Sequence, residues 1–173
     1  MNFGMAYAMG ARTLAKKYGW SYDKALQYIQ MYNQEVPFVK ATRQRVTQIA
    51  RGRGYIKTIL GRRARVTQEM REMRKEYIMF NRLIQGSAAD LLKKAMHDAY
   101  YAGIFEVLYP HVTVHDELDQ SIPKTKEGLE AFNELKNIME TCVPLKVPVK
   151  ANPEIGDSWG NLMDYDHKQG VLL

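Results

Sequence analysis

The sequence has little cysteine, no long apolar run and no stretch rich in proline, glycine or serine. Its single cysteine, Cys142, cannot form an internal disulfide, which is consistent with a reducing compartment. No apolar run approaches the roughly 18 residues that a membrane span needs. There is also no internal repeat and no low-complexity segment. We therefore expect a cytoplasmic protein that does not cross a membrane.

The 173 residues have an ordinary globular composition. Hydrophobic residues make up 46% of the chain, which argues against disorder, collagen and coiled coil and allows one core in one or two small lobes. A secretory signal carries its basic residues before its apolar stretch, whereas here Arg12, Lys16 and Lys17 follow a mildly apolar start. We therefore expect no targeting segment.

Apolar spacing predicts a mixed chain in which helices dominate. Ser21 is a predicted N-cap, and Pro37 is expected to end one helix and begin the next. Ser87 could cap a second helix if the long helix breaks at Gly86. The predicted helices cover 2–17, 21–36, 37–50, 67–102 and 125–141. The predicted strands cover 55–59, 107–114, 118–122 and a last strand around Val147 and Val149.

Adjacent carboxylates and an imidazole occur between two short apolar runs, in the stretch Thr113-Val114-His115-Asp116-Glu117-Leu118. The flanking runs predict a hairpin with this cluster at its tip. Mg²⁺ prefers carboxylate oxygens and commonly binds through one or two of them together with substrate phosphates. The cluster therefore suits a divalent metal and phosphoryl-transfer chemistry. The alternative is an ordinary solvated turn.

Positive charge is concentrated in the middle of the chain. The net charge is +6, and between Lys40 and Lys75 few acidic residues precede Glu69. Such a block could hold a nucleic-acid duplex through phosphate contacts without reading its sequence. The alternatives are a solvated helix face or attraction to an acidic membrane surface. The block contains Arg43, Arg45, Arg51, Arg53, Lys57, Arg62, Arg63, Arg65, Arg71 and Arg74.

Taken together, the motifs resemble the C-terminal part of family A DNA polymerases. Four stretches carry the resemblance, and they occur in the order that the family shows. They are Asn2-Phe3-Gly4 with Tyr7, then Gly54-Tyr55 to Thr58 with Gly61-Arg62-Arg63, then Asn81 with Gln85-Gly86-Ser87-Ala88-Ala89-Asp90, and finally Val114-His115-Asp116-Glu117-Leu118. The resemblance implies an α+β fold, with late fingers helices and a basic connector in 1–66. It places half of a palm, with a small antiparallel sheet and packed helices, in 67–173.

The resemblance also implies roles for the hairpin cluster and for two aromatic residues. Asp116 would be one of two palm aspartates that hold two Mg²⁺ ions. Glu117 would be a secondary carboxylate near the metals, and His115 would lie near the primer terminus. Phe3 and Tyr7 would face the nascent base pair and the nucleotide sugar, although core packing is the alternative for both rings.

Two further pairs would contact DNA if the resemblance holds. Asn81 and Gln85 lie one helical turn apart, and their amides suit hydrogen bonds to minor-groove acceptors and template backbone. Arg62 and Arg63 resemble the family's basic pair beside the duplex. The alternatives are helix capping near Gly86 for the amides and a surface salt bridge for the arginines.

The sequence departs from the family pattern in several places. The family has a Lys four residues and an Arg eight residues before the position of Phe3, and its first palm aspartate lies further upstream; none of these positions falls within this sequence. Ala8 replaces a usual Gly, Lys57 replaces a common Glu, and Tyr77 stands where an Arg is expected. We expect one carboxylate alone to be insufficient for two metals.

The sequence therefore predicts the C-terminal part of a DNA-directed DNA polymerase, possessing one half of a two-metal centre. We expect it to be the second polypeptide of a phage-type polymerase encoded in two parts, and to be inactive without the upstream fragment. Its expected partners are primer-template DNA, dNTP and an upstream polymerase fragment carrying the other palm aspartate, with no membrane partner. If the protein is phage-encoded, the expected compartment is the host cytoplasm. One alternative is a non-catalytic DNA-binding module derived from a polymerase, and another is an incomplete fragment that folds poorly alone. RNA synthesis is disfavoured because Glu117 follows the Asp and the run from Gln85 to Ala89 resembles the DNA-synthesising group.

Overall fold

The computed structural model describes residues 9–165 of the chain. These residues form helices and three two-stranded antiparallel sheets, which confirms the predicted α+β class. They separate into two compact units, the first ending at Ser87 and the second beginning at Ala88. The predicted division into 1–66 and 67–173 refers to parts of a polymerase and stays a prediction. Within residues 9–165, none of the helices combines the length and apolar character that crossing a bilayer requires.

From residue 9 onward, the described part of the first unit contains the helices α1 (Ala11–Tyr18), α2 (Tyr22–Glu35) and α3 (Pro37–Arg53). The predicted cap of α2 is confirmed, because the Ser21 hydroxyl accepts a hydrogen bond from the Lys24 backbone N–H. Pro37 occupies the first turn of α3, where its missing N–H costs nothing. Gly54, with φ of 81°, ends α3 in a left-handed conformation. The helix therefore runs three residues beyond the predicted end at Ala50.

A short hairpin and two more helices follow. Strands β1 (Tyr55–Lys57) and β2 (Arg63–Arg65) pair antiparallel, and α4 (Gln68–Glu72) precedes the long α5 (Ile78–Tyr101). The predicted break at Gly86 is wrong, because α5 runs straight through it. Ser87 is not a cap, because its hydroxyl donates to the Leu83 carbonyl one turn earlier within the helix. The interruption falls instead at 73–77, where Arg74 has φ of 51°.

Up to residue 165, the second unit contains the C-terminal part of α5 and six elements that follow it in the chain. These are α6 (Ile104–Val107), β3 (Tyr109–Val114), β4 (Glu117–Ser121), α7 (Lys126–Thr141), β5 (Glu154–Gly156) and β6 (Leu162–Asp164). The hairpin β3–β4 and helix α7 confirm predictions, although Val107 lies in a helical turn rather than a strand. The predicted strand around Val147 and Val149 is wrong; Pro148 between them lacks an N–H for pairing, and the last sheet is β5–β6.

Each unit has its own apolar core. In the first unit, Val46 and Ala50 of α3 pack with Ile56 of β1 and with Met79 and Phe80 of α5. A smaller cluster in the same unit centres on Leu14 and Ala25. The core of the second unit joins α5, α6 and α7 through Ala99, Ile104, Leu108, Ala131, Phe132, Leu135 and Tyr165. These cores hold the two hairpins that carry the candidate site residues.

Candidate functional site

A two-residue turn, His115 and Asp116, joins β3 to β4. Val114 pairs with Glu117 at the end of the hairpin. His115 has a left-handed backbone with φ of 57°. Tight hairpin turns favour this conformation, and histidine adopts it more readily than most side chains do. The turn therefore places the predicted cluster at the tip of the hairpin.

The side chains of His115, Asp116 and Glu117 are all exposed at this tip. The two carboxylates offer the hard oxygen ligands that Mg²⁺ prefers, and Mg²⁺ often completes its shell with water and substrate phosphates. Within residues 9–165, no group of three or more His, Cys, Asp or Glu side chains is placed to hold a metal. Asp116 and Glu117 therefore fit a divalent metal as part of a ligand set, and a full protein set would need ligands from elsewhere.

The body of the same hairpin contains polar features that sequence reasoning missed. The pairing register shifts between Pro110 and Val112, which marks a bulge at His111, and His111 Nε2 lies 2.7 Å from the Ser121 hydroxyl. Among the described residues, Asp119 Oδ2 and Gln120 Oε1 are buried and have no hydrogen-bond partner. The signal available in the sequence was the polar run Asp119 to Ser121 between two apolar residues.

In the first unit, the predicted pair Arg62 and Arg63 lies beside and at the start of β2, and the two side chains make different contacts. Arg62 Nη2 donates a hydrogen bond of 2.7 Å to the Gly86 carbonyl of α5. The Arg63 guanidinium lies 4.9 Å from the centre of the Tyr55 ring, and Arg53 lies 5.4 Å from the same ring. Tyr55 thus brings two cations together, an arrangement that suits an anionic partner.

Asn81 and Gln85 lie one turn apart on α5, as the spacing predicted. Asn81 is half-buried and Gln85 is exposed. Between them, Arg82 Nη1 donates to the Arg65 carbonyl of β2 over 3.1 Å. Sequence reasoning did not single out Arg82, and its only signal was a further cation next to Asn81. The structure therefore brings the predicted amides and the basic hairpin together in one unit.

One acidic residue neutralises part of the basic block. Glu76 is 7% exposed, and its Oε2 accepts a bond from Arg51 Nε over 3.4 Å. A hydrogen bond from its own backbone N–H, followed by the bond and charge of Arg51, lowers the pKa of Glu76 below its ordinary value despite the opposing effect of burial. Arg51 and Tyr77 line an open cleft of about 400 Å³, together with Arg43, Gln44, Thr47 and Gln48.

The predicted nucleotide-binding residues Phe3 and Tyr7 lie outside the described residues. Their roles stay predictions. The same holds for the stretch Asn2-Phe3-Gly4, which belongs to the resemblance in sequence only.

Comparison with known proteins gives consistent matches. The model of a family described as DNA polymerase family A matches residues 1–161. The chain is 36% identical over 169 residues to DNA polymerase I, thermostable, of Thermus filiformis, covering 92% of the chain and 20% of that protein. It is 38% identical over 137 residues to a DNA-directed DNA polymerase of Pseudomonas phage M6, covering 78% of the chain and 19% of that protein. The chain thus spans about a fifth of the length of these relatives.

A solved structure shows the same fold. It is the POL domain of Pol1 from M. smegmatis, in complex with DNA primer-template and dNTP, with a TM-score of 0.75 and 31% identity. The match covers 87% of this chain and 28% of that one. The family predicted from the four sequence stretches is therefore confirmed.

Proposed function

Because this chain belongs to DNA polymerase family A, we propose that it is the C-terminal part of a DNA-directed DNA polymerase that extends a primer on a template. The proposal is supported above all by Asp116, an exposed carboxylate at the tip of the β3–β4 hairpin. The structure of the M. smegmatis relative in complex with primer-template and dNTP supports these as the partner and substrate.

Asp116 would hold Mg²⁺, with Glu117 as a neighbouring carboxylate. When bound, two such ions would activate the primer 3′-hydroxyl and stabilise the charge on the leaving pyrophosphate. His115 would lie near the primer terminus. Phe3 and Tyr7 would stack on the nascent base pair and contact the nucleotide sugar. Each of these roles follows the family pattern at the matching position of this sequence.

DNA would be held by residues of the first unit. Arg63 is held beside Tyr55 and would contact backbone phosphate. Asn81 and Gln85 would donate hydrogen bonds to minor-groove acceptors and template backbone. These contacts do not depend on base identity, as a replicative enzyme requires.

The polymerase would be complete only with a segment that this sequence does not contain. Asp116 and Glu117 form part of a ligand set, and within residues 9–165 no third carboxylate joins them. We propose that the second palm aspartate and the groups that grip the triphosphate come from an upstream polymerase segment. That segment could belong to the same polypeptide or to a separate one.

The test is primer extension by the chain combined with its upstream segment. Asp116→Ala should reduce the extension rate by at least about a hundredfold, because even residues that merely support a metal ligand cost up to that amount. Asp157→Asn is the matched control, because that carboxylate is 80% exposed and pairs with Lys124 at the surface. Undiminished extension by the Asp116 variant would refute the proposed role.

A second candidate is a non-catalytic DNA-binding module derived from a polymerase. It is favoured by one observation: the basic hairpin and its contacts to α5 are complete within the first unit, whereas the metal ligand set is partial. No extension in any combination, together with full primer-template binding by the Asp116→Ala variant, would favour this candidate over the polymerase.

A further inference from the structure

Two arginines tie the β1–β2 hairpin to α5 in opposite directions. Arg62 at the end of the hairpin turn donates to the Gly86 carbonyl of the helix. Arg82 of the helix donates to the Arg65 carbonyl of the hairpin. Each bond has a charged donor and a backbone acceptor, a combination stronger than a neutral hydrogen bond. The hairpin is therefore fixed to the helix at two points one helical turn apart.

The turn itself is closed by short backbone contacts. The Thr58 N–H donates to the Arg62 carbonyl over 2.9 Å, and the Gly61 N–H donates to the Thr58 carbonyl over 2.9 Å. The Ser87 hydroxyl accepts from the Ile59 N–H over 3.1 Å. Ser87 therefore adds a third attachment, on the residue that follows Gly86.

Gly86 makes this close approach possible. A Cβ at this position would lie 2.9 Å from Thr58 Cγ2 and 3.2 Å from Arg62 Nη2. The first distance is too short for carbon atoms in contact, so a larger residue would force Thr58, and with it the contact of the hairpin turn with α5, to shift. Gly86 was predicted as a possible break in the helix. In the structure it lies within the helix, and its missing side chain leaves the space that the hairpin turn occupies.

We propose that Arg62 is a positioning residue rather than a phosphate contact. Its bond to Gly86 and the bond between Ser87 and Ile59 together form a clamp that fixes the position of the hairpin against α5. Arg63 follows Arg62 directly, and Gln85 precedes Gly86 directly, so the clamp fixes the relative position of two proposed DNA contacts. The expected effect on DNA binding rests on the proposed function, whereas the expected attachment of the hairpin to α5 does not. The two consecutive arginines would thus have different tasks.

The salt dependence of primer-template binding by the full chain separates these tasks. Loss of a phosphate contact reduces the slope of log K against log salt by about one, whereas loss of a positioning contact weakens binding and leaves the slope unchanged. We expect Arg62→Ala and Arg62→Lys to weaken binding about tenfold with the slope unchanged, because lysine keeps the charge but not the planar guanidinium. Arg63→Ala is the matched control and should reduce the slope by about one.

Amide hydrogen exchange gives a readout that does not involve DNA. The Ile59 amide should exchange at least about tenfold faster in Ser87→Ala and in both Arg62 variants, while amides of the α3 core keep their protection. An Arg62→Lys variant with unaltered affinity, or an Arg62→Ala variant with a slope reduced like that of Arg63→Ala, would overturn the inference. If the unaltered chain does not bind DNA, the proposed function fails, and unchanged exchange at Ile59 would then separately overturn the clamp.

Discussion

Glu76 is a buried acidic side chain that pairs with one arginine of the basic block and holds it in place. It lies in the break between α4 and α5, where the chain turns through the left-handed Arg74, and it is buried against Arg51. A buried carboxylate is tolerated when it remains charged and hydrogen-bonded. Its local bonds to backbone and guanidinium meet that condition, so Glu76 anchors the break to α3.

The pH dependence of stability should reveal this role. The folded pKa of Glu76 lies below its unfolded value, so its contribution to stability is fully present above the unfolded pKa and is lost as the pH falls through the lower, folded pKa. Glu76→Gln should therefore lower the thermal unfolding midpoint at pH 7, and its difference from the unaltered chain should shrink at about pH 3.5. Thermal unfolding monitored by circular dichroism at both pH values tests this.

Glu72→Gln is the control, because Glu72 is exposed and its carboxylate accepts a hydrogen bond from Gln68 one turn away on α4. It should change the midpoint little at either pH. An effect of Glu76→Gln that is the same at both pH values would contradict the assignment of its lowered pKa to the folded state.

Single residues were predictable from the sequence where their chemistry is local. The hairpin tip at His115 and Asp116 was predicted because polar residues between two short apolar runs indicate a turn between two strands. The partner of Arg62 was not predictable, because Gly86 lies 24 residues away and only the folded hairpin brings them together. Asp119 and Gln120 escaped notice because sequence alone does not reveal which strand positions are buried.

Helix α7 begins against a neighbouring loop, and glycine is needed there. The Thr125 hydroxyl caps the helix by accepting from the Gly128 N–H over 3.1 Å. A Cβ at Gly128 would overlap the carbonyl oxygen of Pro123. The start of the helix and the segment that joins β4 to α7 therefore fit together only because residue 128 lacks a side chain.

Gly128→Ala should destabilise the protein in spite of the better helix propensity of alanine. We expect a loss of about 1–3 kcal/mol from overpacking against Pro123, and about 1 kcal/mol for Thr125→Ala through loss of the cap. Gly52→Ala is the matched control, because Gly52 lies within α3 with nothing within 4 Å of an added Cβ. It should stabilise by about 0.5–1 kcal/mol. Urea unfolding measures all three, and a shared sign for the two glycine variants would contradict the argument.

Elements were predictable where pattern and end signals coincide. The prediction 125–141 for α7 differs from Lys126–Thr141 by one residue, because an apolar stripe and a capping Thr mark it together. The break at 73–77 carries no glycine or proline, so no local signal announced it. Gly86 carried such a signal, but packing against Thr58 and Arg62 overrode the weak helix propensity of glycine.

At the scale of the whole molecule, the chain matches one part of longer DNA polymerases. The alignment with the Thermus filiformis relative covers 92% of this chain but only 20% of that protein. The family model matches residues 1–161. The family was predictable because four short stretches occur in a fixed order. The residues that would complete the proposed two-metal site could not be predicted from this chain, because the ligands of such a site need not be adjacent in sequence.

Primer extension should appear only when the upstream segment is supplied. The chain alone should give no product above background, because Asp116 and Glu117 would supply only part of the proposed ligand set. Addition of the segment should restore elongation of a labelled primer in the presence of Mg²⁺. Gel electrophoresis of the products measures the outcome. Extension by the chain alone would contradict the need for further ligands.

The three sheets have a consequence for handling the protein. In the described part of the chain each sheet has two strands only, so every strand leaves one row of amide and carbonyl groups facing away from its partner. Strands of other molecules readily pair with such open edges. Among the described residues, neither β3 nor β4 pairs with a third strand. Purified alone, the polypeptide should self-associate as it is concentrated, which makes dilution rather than cooling the first safeguard during storage.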